Sequence, residues 1–142
     1  MNGNAELLNF VYQNSQMGVD TVKQLIGIVE EDNFKKYLES HYNKYNEIHL
    51  EAKKALNDHG YDEKGIGAMD KIKTYLMINL QTLTDKSSSH IAEMLIIGSN
   101  MGIINAVKNL KKYKNAESHI KKLMEELMHI EEDNVQQLKE FL

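Results

Sequence analysis

Four amino acids are missing from this sequence, and three of these absences exclude particular structures or chemistry. The 142 residues contain no cysteine, proline or tryptophan, and all seventeen basic residues are lysines because no arginine occurs. Without cysteine there are no disulfides, thiolate metal ligands or cysteine nucleophiles. Without proline, the strongest breaker of helix interiors is absent. Without arginine, the chain lacks the forked donor that binds phosphate or guanine through two parallel hydrogen bonds.

The charge balance argues against a nucleic-acid partner. The formal net charge is -4 and the isoelectric point is near 5.9, whereas nucleic-acid binders usually carry a basic stripe.

The segment MNGNAELLNF has neither the basic region nor the continuous apolar region of a signal peptide. We therefore expect a cytoplasmic protein. Its length suits one domain, residues 1–142, with a substantial core.

The most apolar stretch is HIAEMLIIGSNMGIINAVKNL, residues 90–110. At about 100° per residue its apolar side chains occupy nearly the whole circumference, which is typical of a helix buried on nearly all sides. In a membrane span, four polar residues would have to enter the lipid: Glu93, Asn100, Asn105 and Lys108. We therefore predict the central helix of a bundle and no membrane insertion.

Apolar residues spaced three and four apart predict five helices. Their approximate ranges are 4–30, 33–59, 67–85, 88–113 and 116–141. Asn4 is the expected N-cap of the first helix, and Gly60 the expected glycine after the second.

The long helices also repeat. The segment SQMGV at residues 15–19 corresponds to SNMGI 84 residues later, and a shift of 86 superposes the apolar stripe of 33–59 on that of 116–141. We interpret the chain as two helical hairpins of one pattern, with chance agreement between amphipathic helices as the alternative. Glycine inside a helix is unfavourable by about 1 kcal/mol relative to alanine. Because Gly18 and Gly102 occupy matching positions, we predict that the first and central helices cross closely there.

Two hairpins joined by a connection that contains a shorter helix resemble the ferritin-like superfamily. The resemblance covers the whole chain and implies an all-α fold: a ferritin-like antiparallel four-helix bundle with an additional helix in the crossover. The region 38–66, with His59-Gly60-Tyr61-Asp62 in its loop, is similar to small Firmicute bundles of the spore-coat F type.

The activity of the ferritin-like family depends on a di-metal site, formed by one glutamate on each of two helices and Glu-x-x-His on each of the other two. Helix 33–59 contains no Glu-x-x-His. The one formal match, Glu126-x-x-His129, projects away from the apolar stripe of its helix, where the inward pair is Glu131-x-x-Asn134. The resemblance therefore implies the fold without ferroxidase activity.

His41 and Glu131 are the ionisable residues nearest the centre of an apolar stripe. With hairpins arranged as in the family, they would differ by about 5 Å along the bundle axis, at 1.5 Å per residue. Two interpretations are open: a divalent ion of iron, zinc or manganese held by this pair, or a hydrogen-bonded polar pair that fixes the helix register. The second is preferred because a stable divalent site normally has three or more ligands.

His90 and Glu93 are a second candidate metal pair, at a site between protomers, and a surface or capping pair is the alternative. His49, His59 and His119 fit ordinary exposed or boundary positions. No phosphate-binding glycine loop, nucleophile elbow or zinc-protease motif occurs.

The lack of a catalytic set predicts a non-enzymatic bundle without a cofactor, which acts through self-association or by binding another protein. A homodimer is favoured because the central helix is more apolar than a four-helix core requires. The alternative is a divergent metal-binding, iron-handling relative of ferritin.

Overall fold

The computed structural model describes residues 2–62 and 70–142, which are predominantly helical. These residues form no strand and five α-helices: α1 Asn4–Ile26, α2 Asp32–Asp58, α3 Asp70–Gln81, α4 Ser88–Lys112 and α5 Ser118–Leu138. A short 3-10 helix, Lys139–Phe141, follows α5. The predicted all-α class is confirmed.

The predicted helix limits within the described residues agree to within three positions, except at the ends of α1 and α3. α1 ends at Ile26 rather than at residue 30. Gly27 is a poor helix former, and the chain turns there, with the N–H of Ile28 donating to the Leu25 carbonyl at 3.0 Å.

The end of α3 precedes the turn that begins α4. α3 ends at Gln81 rather than at residue 85, and the Asp85 carboxylate accepts a hydrogen bond from the N–H of Ser87 at 3.0 Å. The Ser87 hydroxyl in turn accepts from the N–H of His90, as an N-cap of α4. The predicted start of α3 at residue 67 lies outside the described residues.

Contacts at the two ends of the bundle give the helix directions. At one end, the Asn4 side chain accepts a hydrogen bond from the N–H of Glu117 at 2.9 Å, and His59 lies 3.2 Å from the Glu117 carboxylate. At the other end, the rings of Phe34 and Phe141 stack with centroids 4.5 Å apart. α1 and α5 therefore run in one direction, and α2 runs in the opposite one.

The start of α4 lies near the start of α2, so these two helices share a direction. Ser88 donates a hydrogen bond to the carboxylate of Glu31, the residue before α2, at 2.5 Å. α3 packs on α4, where a Cβ atom on Gly98 would lie 3.2 Å from the Leu76 side chain. The long helices thus form two hairpins, α1–α2 and α4–α5, and α3 lies in the connection between them.

Asn4 does not cap α1 as predicted. Gly3 precedes α1 with φ 85°, and the Asn4 side chain instead satisfies the N–H of Glu117, the residue before α5. The N–H groups at the start of a helix need hydrogen-bond acceptors. The prediction was wrong because the sequence does not show which helix a nearby asparagine will serve.

α4 is less buried than its composition predicts. Three of its large side chains are exposed: Ile97 by 40%, Ile104 by 54% and Val107 by 37%. By length and composition α4 could cross a membrane, and 44% of the qualifying 18-residue window is buried in the bundle. A core helix of a soluble bundle passes the same test, so this property is weak support for a span. The prediction of burial on nearly all sides is wrong, because the described helices α5, α3 and α1 cover only part of α4.

Gly18 and Gly102 accommodate side chains rather than each other's backbone. A Cβ atom on Gly18 would lie 2.7 Å from the Tyr45 ring on α2. A Cβ atom on Gly102 would lie 3.2 Å from the Asn14 side-chain nitrogen on α1 and 3.9 Å from the Glu131 carboxyl carbon on α5. The predicted crossing at these two glycines is therefore wrong, because each missing side chain makes room for a polar group from another helix.

Candidate functional site

A chain of hydrogen bonds between α2 and α5 occupies the centre of the bundle. Tyr37 donates to the side-chain oxygen of Asn134 at 3.0 Å, and the Asn134 amide donates to the Tyr45 hydroxyl at 3.3 Å. Tyr45 donates to the Glu131 carboxylate at 2.5 Å. We call these four residues the central hydrogen-bond chain. Because it alternates between two helices, it fixes their register.

Burial controls the charge of the central hydrogen-bond chain. It raises the pKa of Glu131 to about 7, although hydrogen bonding with Tyr45, Ser99 and Asn134 acts in the opposite direction. Burial and the negative charge of Glu131 raise the pKa of Tyr45 well above its usual value. Tyr45 therefore remains a neutral phenol, while Glu131 changes its charge near neutral pH.

A small cavity adjoins the central hydrogen-bond chain. Its volume is about 30 Å³, and its lining includes Asn14, His41, Tyr45, Ser99 and Glu131. A water molecule needs roughly 10–15 Å³ of such space, whereas pockets for organic ligands measure roughly 300–1,000 Å³. The cavity therefore admits a water molecule or one ion, but not an organic substrate. The buried side-chain nitrogen of Asn14 has no hydrogen-bond partner within the described residues, and an ordered water here would supply one.

His41 and Glu131 line the same cavity, but no hydrogen bond or ion pair joins them. The His41 ring packs between the rings of Tyr37 and Tyr45, with centroid distances of 5.7 and 4.3 Å. Burial, followed by the positive charge of Lys44, lowers the pKa of His41 to about 3. His41 is thus neutral at physiological pH. On α2, the residue that donates to Glu131 is instead Tyr45, one helical turn from His41.

His90 and Glu93 lie in the first turns of α4, away from the cavity lining. Glu93 is exposed and raises the pKa of Tyr75 on α3, after the larger effect of burial. Neither His90 nor Glu93 belongs to a group of three potential metal ligands among the described residues. The geometry therefore gives this predicted pair no third ligand.

The structure confirms the predicted orientations on α5. Glu131 and Asn134 are buried, whereas Glu126 and His129 are exposed. The Tyr45–Glu131 hydrogen bond was missed, although the sequence contains a signal for it. The 86-residue shift that relates the hairpins superposes Tyr45 on Glu131, and residues related by a pseudo-twofold axis meet when they lie close to it.

The outer side of α4 carries an exposed row of residues spaced alternately four and three apart. We call this row the outer face of α4; its residues, all exposed, are Glu93, Ile97, Asn100, Ile104, Val107 and Lys111. The apolar members lie in the middle, and the acidic and basic residues lie at opposite ends. This spacing matches the a and d positions of a coiled-coil seam.

No protein-family model, curated protein or solved structure matches this chain. Its function is therefore inferred from its own residues.

Proposed function

We propose that this protein is a non-enzymatic, ferritin-like helical bundle that acts through self-association of the outer face of α4. The ferritin-like assignment is supported by two hairpins in which α1 and α5 run opposite to α2 and α4, and by a helix in the connection between hairpins. The outer face of α4 is the observation that carries the self-association.

The charges of this face favour an antiparallel pair of α4 helices. With a twofold axis near residue 102, Glu93 faces Lys111 of the second copy, Ile97 faces Val107, and Asn100 faces Ile104. A parallel pair would instead place Glu93 beside Glu93 and Lys111 beside Lys111, which is unfavourable. A twofold contact of this kind uses the same surface on both copies and closes at a dimer.

The size of the face also fits a dimer better than a membrane. From residue 97 to residue 107 the apolar part is about 15 Å long at 1.5 Å per residue, half of the roughly 30 Å hydrocarbon core of a bilayer. The charged residues at its two ends can remain in water between two protein copies. A single helical seam buries less than the roughly 800 Å² per partner of a standard interface. We therefore expect a weak dimer, with a dissociation constant on the order of micromolar or above.

Sedimentation equilibrium over a wide concentration range tests this dimer. We expect Ile104→Glu to make the protein monomeric, because it places two carboxylates in the apolar seam. Leu50→Glu is the matched control, since Leu50 on α2 is 56% exposed and Ile104 is 54% exposed. Equal loss of association in both variants, or a wild-type protein that stays monomeric at millimolar concentration, contradicts the proposal.

A charge exchange tests the antiparallel register separately. Glu93→Lys alone should weaken the dimer several-fold, because it sets lysines against lysines at both ends of the seam. Adding Lys111→Glu to the same chain should restore the affinity. If the double variant is weaker than either single variant, Glu93 and Lys111 are not partners. Association with lipid vesicles in place of dimerisation would assign the face to a membrane.

Binding of a divalent metal ion in the bundle core is a second candidate function, favoured by the cavity that His41 and Glu131 share. It provides only two strong ligands, however, since Tyr45 remains a neutral phenol, and divalent sites normally use at least three. Metal analysis of protein purified without chelators tests this function. Stoichiometric iron, zinc or manganese that is lost in His41→Ala, but kept in His129→Ala, would support it.

A further inference from the structure

Three potential metal ligands meet at the end of the bundle where α2 ends and α5 begins. His59 Nε2 lies 3.2 Å from Glu117 Oε2, and His119 Nε2 lies 3.7 Å from the same oxygen. All three atoms lie within 4.8 Å of one another. The His59 and His119 rings stack, with centroids 5.4 Å apart. These histidines, which fit ordinary surface positions in the sequence, are therefore neighbours in the fold.

The end of α2 holds the His59 ring in place. Gly60 has φ 69°, the Tyr61 N–H donates to the Leu56 carbonyl, and the Gly60 N–H donates to the Asn57 carbonyl. This pair of hydrogen bonds is a Schellman motif, as the predicted position of Gly60 implies. The Tyr61 ring then stacks on the His59 ring with centroids 5.5 Å apart. The turn at the end of α2 and the Tyr61 ring thus hold the His59 imidazole in place.

The hydrogen bond of the other ring nitrogen sets the tautomer of His59. Nδ1 lies 2.8 Å from the Ala55 carbonyl oxygen, and because a carbonyl only accepts, Nδ1 carries the hydrogen. Nε2 lies 3.2 Å from the Glu117 carboxylate, to which it donates a hydrogen bond when the ring is protonated. Loss of that proton leaves an Nε2 lone pair available to a metal ion at the same place. Metal-bound histidines commonly donate their second ring N–H to a backbone carbonyl in this way.

The Glu117 carboxylate faces the two histidines rather than capping α5. Glu117 precedes α5 but makes no side-chain cap, and its N–H is satisfied by Asn4. Asp58, at the end of α2, adds negative charge that acts on His59. The C-terminal end of α2 also favours a cation, through the partial negative charge of its free carbonyl groups.

We propose that His59 Nε2, Glu117 Oε2 and His119 Nε2 bind one divalent transition-metal ion of the zinc type, with water as the fourth ligand. Tetrahedral ligands at 2.0–2.1 Å from zinc lie roughly 3.3 Å apart, close to the 3.2 and 3.7 Å separations between the imidazole nitrogens and the carboxylate oxygen. The ion would therefore fit with small side-chain movements. It would also join α2 to α5, and so link the two hairpins independently of the proposed dimer.

Titration with Zn²⁺ alone at pH 7.5, followed by calorimetry, tests the site. We expect one ion per chain and at least a tenfold loss of affinity in His119→Ala. His119 is the better position to change because its side chain is 63% exposed, whereas His59 belongs to the helix end. His129→Ala, which removes an exposed histidine from the same helix, should bind Zn²⁺ as the wild type does.

A thermal melt supplies a second readout. Zn²⁺ should raise the melting temperature of the wild type and of His129→Ala but not of His119→Ala, because an ion that binds only the folded state stabilises it. The affinity should fall in acid, because protons compete with metal ions for histidine nitrogens. Unchanged affinity in His119→Ala, or no binding at 1 mM Zn²⁺, overturns the proposal and leaves an ordinary surface ion pair. Zinc lost in His41→Ala and kept in His119→Ala overturns it in favour of the core cavity.

Discussion

α1 and α4 are the first helices of the two hairpins, and the more apolar of the two, α4, is the less buried. α1 buries 14 of its 23 residues, whereas α4 buries 8 of its 25. The deeply buried α1 includes six buried polar residues: Asn4, Asn9, Gln13, Asn14, Ser15 and Thr21. The more apolar α4 leaves isoleucines exposed. How much of a helix its neighbours cover, rather than its hydropathy, therefore decides how deeply it is buried, and the uncovered apolar residues of α4 are the basis of the proposed self-association.

Truncating one apolar side chain on each helix gives the largest expected contrast. Leu8 on α1 is fully buried, whereas Ile104 on α4 is 54% exposed. We expect Leu8→Ala to lower the free energy of unfolding by about 2–5 kcal/mol, because it leaves a cavity. Ile104→Ala should change it by no more than about 0.5 kcal/mol. Urea denaturation at a protein concentration low enough to dissociate the proposed dimer provides both values. Comparable losses would mean that α4 is covered within the monomer.

Each hairpin contributes one buried group whose pKa shift affects stability between about pH 3 and pH 7, and the two shifts act in opposite directions. Glu131 has its pKa raised from 4.5 to about 7, so its contribution to folding is full below pH 4.5 and is lost as the pH rises to about 7. His41 has its pKa lowered from 6.5 to about 3, so its contribution is full above pH 6.5 and is lost as the pH falls to about 3. Between pH 4.5 and 6.5 the two effects offset each other.

Single substitutions should separate these two contributions. The stability of Glu131→Gln relative to the wild type should increase with pH between 4.5 and 7, by about 1.4 kcal/mol per pH unit and about 3 kcal/mol in total. His41→Phe, which keeps an aromatic ring beside Tyr37 and Tyr45, should instead gain relative stability as the pH falls below 6.5. Denaturant titrations at several pH values measure both slopes. A pH-independent difference for either variant would show that the group titrates alike in the folded and unfolded states.

Matched glycines on α1 and α4 should differ in their tolerance of a methyl group. Gly18→Ala should destabilise the fold by about 1–3 kcal/mol, because its Cβ atom would lie 2.7 Å from the buried Tyr45 ring. Gly102→Ala should cost less, since its nearest neighbour is a side-chain amide at 3.2 Å that can move. Gly27→Ala is the control: it has helical φ, and its Cβ atom would meet only the Gln24 carbonyl at 3.5 Å. Thermal melts that rank Gly102→Ala below Gly18→Ala would reverse the contrast.

Periodicity was sufficient to predict the helices and the inward direction of Glu131 and Asn134, because both depend only on spacing within a helix. It was insufficient for α4, since an apolar side chain is compatible with either a neighbouring helix or an outer surface. It also failed for Gly18 and Gly102, because a helical glycine makes room equally for a backbone or for a side chain such as Tyr45. The meeting of His59 with His119 depends on how the hairpins dock, which no local pattern encodes.

The hydrogen bond between Asn4 and Glu117 spans 113 positions of the chain. Contacts so distant in sequence form late in folding, because the entropy of closing a long loop must first be overcome. During synthesis, the asparagine that caps α5 is made long before the helix it caps. The N–H of Glu117 can therefore receive this partner only when α1 has docked beside the start of α5, so the bond depends on the meeting of the two hairpins rather than on the formation of either helix.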